Sequence, residues 1–176
     1  MATLLKHSHI VENDAWTILK EGLKEGLAEG AKEGLEVSEF TIVPLSFWQQ
    51  NQSQLSDIAT AGKLGLLLSS DQTADLIGEN CRQFSLICID FPKFIDGRGY
   101  SAARLLRERY GFTGELRAVG DVLIDQLFFM KRVGFDAFSL REDQDVEDAL
   151  TAFTTFTHPY QGDVQDTRPL FRRHAG

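Results

Sequence analysis

Cysteine is scarce in this chain, which has only Cys81 and Cys88 in 176 residues. So low a count excludes a disulfide framework, and their spacing supplies neither a Cys-x-x-Cys redox pair nor a zinc or iron–sulfur ligand set. The four histidines, His7, His9, His158 and His174, form no triad or metal motif, so no metal site is expected. Long hydrophobic runs are missing too. No stretch approaches the roughly 18–20 apolar residues of a membrane span, and the N-terminus has no signal-peptide core; the expected compartment is the cytoplasm, with no membrane partner. Neither Gly-x-x-x-x-Gly-Lys-Ser/Thr nor Gly-x-Gly-x-x-Gly occurs, and no cofactor is evident. Positive charge is in deficit: 18 Lys and Arg face 26 Asp and Glu, a net charge of −8 that disfavours nucleic acid.

Apolar bulk is plentiful. Hydrophobic residues make up 43% of the chain, including 13 Phe, enough for one globular domain with its own core. Three regions follow from the pattern. Residues 1–39 form a preface, in which Leu4–Lys6 and Ile10–Glu12 are spaced as a hairpin. A four-residue repeat follows, with Gly22, Gly26, Gly30 and Gly34 each preceded by Glu. Its period suits a helical face, but interior glycines cost about 1 kcal/mol each, so a linker or marginal helix is expected. Residues 40–157 alternate strand and helix, and 158–176, with Pro159, Gly162 and Pro169, read as an irregular arm.

In the central region strands are expected at Phe40–Leu45, Lys63–Leu68, Phe84–Ile89, Leu116–Val119 and Phe135–Leu140. Helices are expected at 47–61, 71–82, 102–110, 121–133 and 143–156. FSLICI is a continuous apolar run of the kind buried on both faces of a parallel sheet. The fold class is therefore α/β: an open parallel sheet of about five strands from consecutive strand–helix units, either doubly wound or a partial barrel. In both arrangements ligands bind at the C-terminal ends of the strands.

That rule directs attention to the segment after FSLICI. Asp90 ends the strand, and Lys93, Arg98, Gly99, Ser101 and Arg104 follow on a loop that enters a helix. Glycine permits close approach, Ser101 is placed to cap the helix, and the cations suit a phosphate, sulfate, sulfite or carboxylate. The competing reading is a rigid connection in which Asp90 and Asp96 pair with Arg98 or Arg104. Asp90 and Asp121 are the candidate acid or base residues, although Asp121 also fits a helix cap. Cys88 lies in a buried strand and is expected to be inert. Along 121–133 a helix would be apolar nearly all round. Leu127, Phe128, Phe129 and Met130 are therefore expected to meet other parts of the chain, a partner protein or a second copy of the chain.

The block FPKFIDGRGYSAARLLRERYGFTGELRAVGDVLIDQLFFMKRVGFDAFSLR, spanning Phe91 to Arg141, closely resembles the bacterial domain-of-unknown-function family 934. IVENDAW near the N-terminus and RPLFRR near the C-terminus resemble that family's ends. Its members are typically encoded beside assimilatory sulfite reductase and are commonly described as oxidoreductases of sulfite reduction. The resemblance thus implies a role in sulfur assimilation, with sulfite reductase or its electron donor as partner. Members often carry a cysteine where this chain has Val133, so a thiol at that position has no counterpart here. Six-electron sulfite reduction needs haem and iron–sulfur ligands that this sequence does not offer, so an accessory role that includes binding a small oxyanion is the leading expectation. An independent α/β enzyme acting on a phosphorylated or carboxylated metabolite and a non-catalytic assembly module are the alternatives.

Overall fold

The computed structural model describes residues 3–19, 37–153 and 164. The Glu-Gly repeat at 21–36 and nearly all of the C-terminal arm lie outside these residues. The five strands expected from the pattern are present as β4 (Thr41–Pro44), β5 (Leu64–Leu68), β6 (Leu86–Phe91), β7 (Glu115–Gly120) and β8 (Ala137–Leu140). Neighbours among them pair in parallel, in chain order. Three short strands extend this sheet to eight. The preface supplies the hairpin β1 (Thr3–Lys6) and β2 (His9–Val11), and β3 (Thr17–Ile18) follows directly. The hairpin turns through His7 and Ser8, both at positive φ, as a two-residue loop matched to strand twist requires. β1 adds antiparallel to β8, while β3 adds parallel to β4 at the opposite edge, giving the order β2-β1-β8-β7-β6-β5-β4-β3.

Sequential strand order decides between the two architectures left open by the sequence. When every right-handed crossover steps to the same side, every connection falls on the same face of the sheet. No switch in strand order occurs within the parallel part, so the sheet is a half-barrel and not doubly wound. The main core fills the space between the sheet's outer face and its connections, with Val43, Leu66, Ile87, Ile89, Phe91, Leu116 and Phe138 all buried. The opposite, inner face carries a smaller cluster of Ile42, Leu86 and Cys88, onto which Trp16, Leu67 and Val119 pack.

The connections are more broken than the periodicity implies. The helix expected at 47–61 is two, α1 (Leu45–Gln50) and α2 (Gln52–Thr60), divided at Asn51, whose side chain donates to the Phe47 carbonyl. The span 71–82 forms two 3-10 segments, Ala74–Leu76 and Gly78–Gln83, because Gly78 takes a positive φ. Ala74, Ile77 and Cys81 are nonetheless buried, as their spacing required. α3 runs Arg98–Glu108, one turn earlier than expected. α4 is short, Leu127–Arg132, after a 3-10 turn at Ile124–Gln126; extended backbone at Leu123 separates the turn from Asp121 and Val122. The single greasy helix over 121–133 therefore does not form. α5 (Val146–Ala152) opens at Asp145, whose carboxylate accepts from the Glu147 and Asp148 amides as an N-cap should.

Half-barrel curvature is enforced by a strap. Only Glu12–Trp16 separate β2 from β3, yet those strands are the two outer edges of the sheet. Six steps of chain from Val11 to Thr17 reach roughly 20 Å at most. Eight strands laid flat, about 4.8 Å apart, would separate the edges by roughly 34 Å. The sheet must curl until the strap can cross its inner face. The strap is pinned in mid-crossing: Asp14 meets Arg117 on β7, and the Trp16 ring rests where a Cβ on Gly65 of β5 would sit, about 3.2 Å away.

Candidate functional site at the C-terminal rim

Loops leaving β6 and β7 build the rim. The β6 loop, 92–97, is tied to the β7 loop by two contacts: the Phe94 amide donates to Asp121 Oδ2 at 2.9 Å, and Gln126 Nε2 donates to the Phe94 carbonyl at 2.5 Å. Asp121 Oδ1 accepts from Arg141 Nη1 at 2.7 Å, and Arg141 also grips Asp143 through Nε and Nη2. Asp121 is thus a clamp between three loops, with both oxygens engaged. Beside Arg141 the Asp143 carboxyl is held down to about 2.

The cationic cluster expected at this loop is dispersed among protein partners. Arg98 forms a fork with Asp96, Nε to Oδ1 at 2.9 Å and Nη2 to Oδ2 at 2.7 Å, and Nη2 also reaches the Ser70 hydroxyl at 3.1 Å. That guanidinium holds the Asp96 carboxyl well below its ordinary range. Arg104 pairs with Glu108 one turn along α3. Ser101 lies inside α3 and is exposed; Gly97, not Ser101, occupies the cap position, so the capping role expected of the serine is not taken up. Gly99 serves packing: a Cβ there would stand 2.5 Å from Phe91 Cζ, so the glycine lets α3 lie flat on β6. Lys93 is exposed and has neither ion pair nor side-chain hydrogen bond among the described residues.

Asp90 faces the other way. Alternation along β6 puts it on the inner face with Leu86 and Cys88, opposite Val119 in register. It is half-buried, its carboxylate has no partner among the described residues, and desolvation raises its pKa. Such a group is chemically poised, whether as an acid or as a hydrogen-bond donor. Cys88 beneath it is fully buried, which pushes its thiol up to about 12 and leaves it inert near neutrality.

The proposed partner residues divide in two. Leu127 and Met130 turn into the core and are fully buried. Phe128 is half-buried and Phe129 is 55% exposed, their rings edge to face at 5.6 Å. With Ile124 and Ala152 they line a groove of about 540 Å3 between α4 and α5. Phe94 and Ile95, on the loop joined to this region through Gln126, are exposed at 49% and 73%.

Matching against protein families assigns residues 65–171, well over half of the chain, to a bacterial protein family of unknown function, domain of unknown function 934. The chain belongs to that family. No curated protein matches it. The family region contains the whole rim, from Asp90 to Asp143, while the strap and hairpin that complete the inner face precede it.

The sequence places Arg117 on the fourth expected strand, with Glu115, Gly120 and Asp121, and assigns it no role. It lies on the inner face, only 5% exposed, between Asp14 and Glu115. Its signal was present in the apolar strand LRAV, since a charged side chain in mid-strand must find partners once buried. Glu115, two residues away on the same strand face, was legible as one partner, whereas Asp14 could not be located without the strap. Among the described residues no cluster of His, Cys, Asp or Glu could hold a metal, and no helix is long and apolar enough to cross a membrane.

Proposed function

We propose that this family member is an accessory protein of assimilatory sulfite reduction that docks to the reductase or its electron donor through the apolar rim. The observation that carries this reading is the exposure of Phe94, Ile95 and Phe129 on loops and a helix bound together by Gln126 and Asp121. Large apolar side chains held rigidly at a ligand-facing edge are the anatomy of a contact surface. The neighbourhood of sulfite reductase genes that the family resemblance implies supplies the partner. Sulfite would meet Lys93 first at this edge, and Arg98 would have to exchange Asp96 for the anion. Affinity for a free oxyanion is therefore low, and docking is the principal activity.

Retention of sulfite reductase by the tagged full-length protein, lost on combining Ile95→Asp with Phe129→Asp, is the expected result. No retention by the wild-type protein, or equal retention by the double variant, overturns the reading.

A second reading, an α/β enzyme acting on a phosphorylated or carboxylated metabolite, draws on the partly desolvated carboxyl of Asp90, which has no partner among the described residues. It requires turnover of such a substrate that Asp90→Asn abolishes while Ile95→Asp leaves it intact.

A further inference from the structure

We propose that the inner face of the half-barrel, beneath the Glu12–Trp16 strap, binds a small, flat organic molecule that is neutral or cationic. A cavity of about 510 Å3 lies there, within the range of small-molecule sites. Its walls come from both halves of the chain: Leu4 and Ile10 from the hairpin, Trp16 from the strap, Ile42 and Val119 from the parallel sheet. Ile10 and Ile18, on the two opposite edge strands, are 51% and 47% exposed and both line this one cavity. Their exposed surface converges on the same opening, where a ligand's apolar body would cover it.

Electrostatics select the ligand's charge. Lys6 contacts Glu115 at 2.6 Å, Glu115 contacts Arg117 at 2.7 Å, and Arg117 contacts Asp14 at 2.5 Å. Two cations and two carboxylates cancel, so the arginine in the floor has no charge to spare for an anion. Among the described residues, the remaining carboxylates nearby are Glu12, which lines the cavity, and Asp90, one strand over from Val119. Their field repels anions and tolerates cations. This separates the cavity from the oxyanion expected at the rim loop. Polar anchoring comes from the Ser139 hydroxyl, which lines the cavity and has no protein partner among the described residues. Trp16, packed by its ring over Gly65, supplies a fixed aromatic surface.

Trp16 is also the reporter. The other tryptophan, Trp48, is buried on the outer face against Phe84. Tryptophan emission of the full chain is titrated with three flat probes: Nile red (neutral), proflavine (cationic) and anilinonaphthalene sulfonate (anionic). Saturable quenching by the neutral or cationic probe is expected, with the anionic probe at least about tenfold weaker. Val119→Phe and Ser139→Phe, which fill the cavity from neighbouring regions of the sheet, are each expected to weaken binding by about tenfold or more, equivalent to roughly 1.4 kcal/mol. Phe129→Asp on the outer surface leaves it unchanged. Should one filling variant fail to fold by circular dichroism, the other decides. Equal binding by the folded filling variant, preference for the anionic probe, dependence on Phe129, or no saturable quenching each overturns the proposal. None of these outcomes bears on docking to the reductase, which the retention experiment reads separately.

Discussion

Asp14 and Arg117 stand 103 residues apart in sequence, and their side chains meet at 2.5 Å across the inner face of the sheet. This contact joins the strap to the middle of β7, so the curvature of the half-barrel and the neutralisation of its buried arginine are one event. The arginine side chain is 7% exposed and that of Asp14 is 27% exposed. Breaking such a pair from the buried side leaves Asp14 without its cation and Glu115 with Lys6 alone. Arg117→Ala is expected to cost about 3–5 kcal/mol, and Asp14→Ala less, because its carboxylate keeps some water. Urea unfolding followed by circular dichroism measures both. A loss under about 1 kcal/mol for Arg117→Ala would show that the strap does not depend on the pair.

Gly99 offers a purely steric test. Its missing Cβ would overlap the buried Phe91 ring, which packs edge to face with Tyr100 at 5.7 Å and has little freedom to move. Gly99→Ala is expected to destabilise by about 1–3 kcal/mol, against the usual gain of an alanine within a helix. Thermal unfolding checks the sign.

Asp90 predicts a pH dependence. Burial raises its folded pKa above the ordinary carboxylate value, so between those two values the native state holds more protons than the unfolded chain. Stability from this group is therefore full below the ordinary carboxylate pKa and falls as pH rises through the folded pKa. Asp90→Asn removes that loss. The variant is expected to be more stable than wild type at neutral pH, with the difference shrinking on acidification; a difference of opposite sign would reveal a cation beside Asp90.

Asp143 behaves oppositely. Its pKa near 2 reflects hydrogen bonds from Arg141 and Gln144, so its contribution is present above the ordinary carboxylate pKa and is lost as pH falls toward 2. Carboxyl chemical shifts are expected to report this low midpoint, and Arg141→Gln to return it toward the normal range. The same substitution frees Asp121 Oδ1 and loosens the rim loops.

Adjacent residues on α4 separate contact from core. Phe129→Asp is expected to change stability by no more than about 0.5 kcal/mol, as surface substitutions usually do. Met130→Asp buries an unpaired charge and is expected to prevent folding, which expression and circular dichroism distinguish at once. The two outcomes show why a run that reads as uniformly apolar need not be uniformly an interface.

Much of the architecture was written locally. The apolar segments at 64–68, 86–91 and 137–140 are strands because β-forming residues bounded by turns can do little else, and their alternation with helical periodicity requires parallel pairing. Helix limits were less legible: Gly78, Asn51 and Leu123 interrupt runs whose periodicity continues across them. Asp121 and the loop from Lys93 to Gly97 do lie at the strand ends, but Asp90 turns to the inner face, and charge spacing alone could not tell a free cation from one already paired. Asp96 took Arg98 and Glu108 took Arg104, choices made by side-chain reach in three dimensions.

The strand–helix alternation, the hairpin and the family are legible in residue order, because each rests on neighbours in the chain or on the order of residues along it. The fold, in turn, made five connecting residues span both edges of the sheet, set Asp14 against Arg117, and turned Asp90 to the inner surface, where it has no partner among the described residues. Burial and pairing of charge depend on which distant segments meet, and that is settled only when the sheet curls.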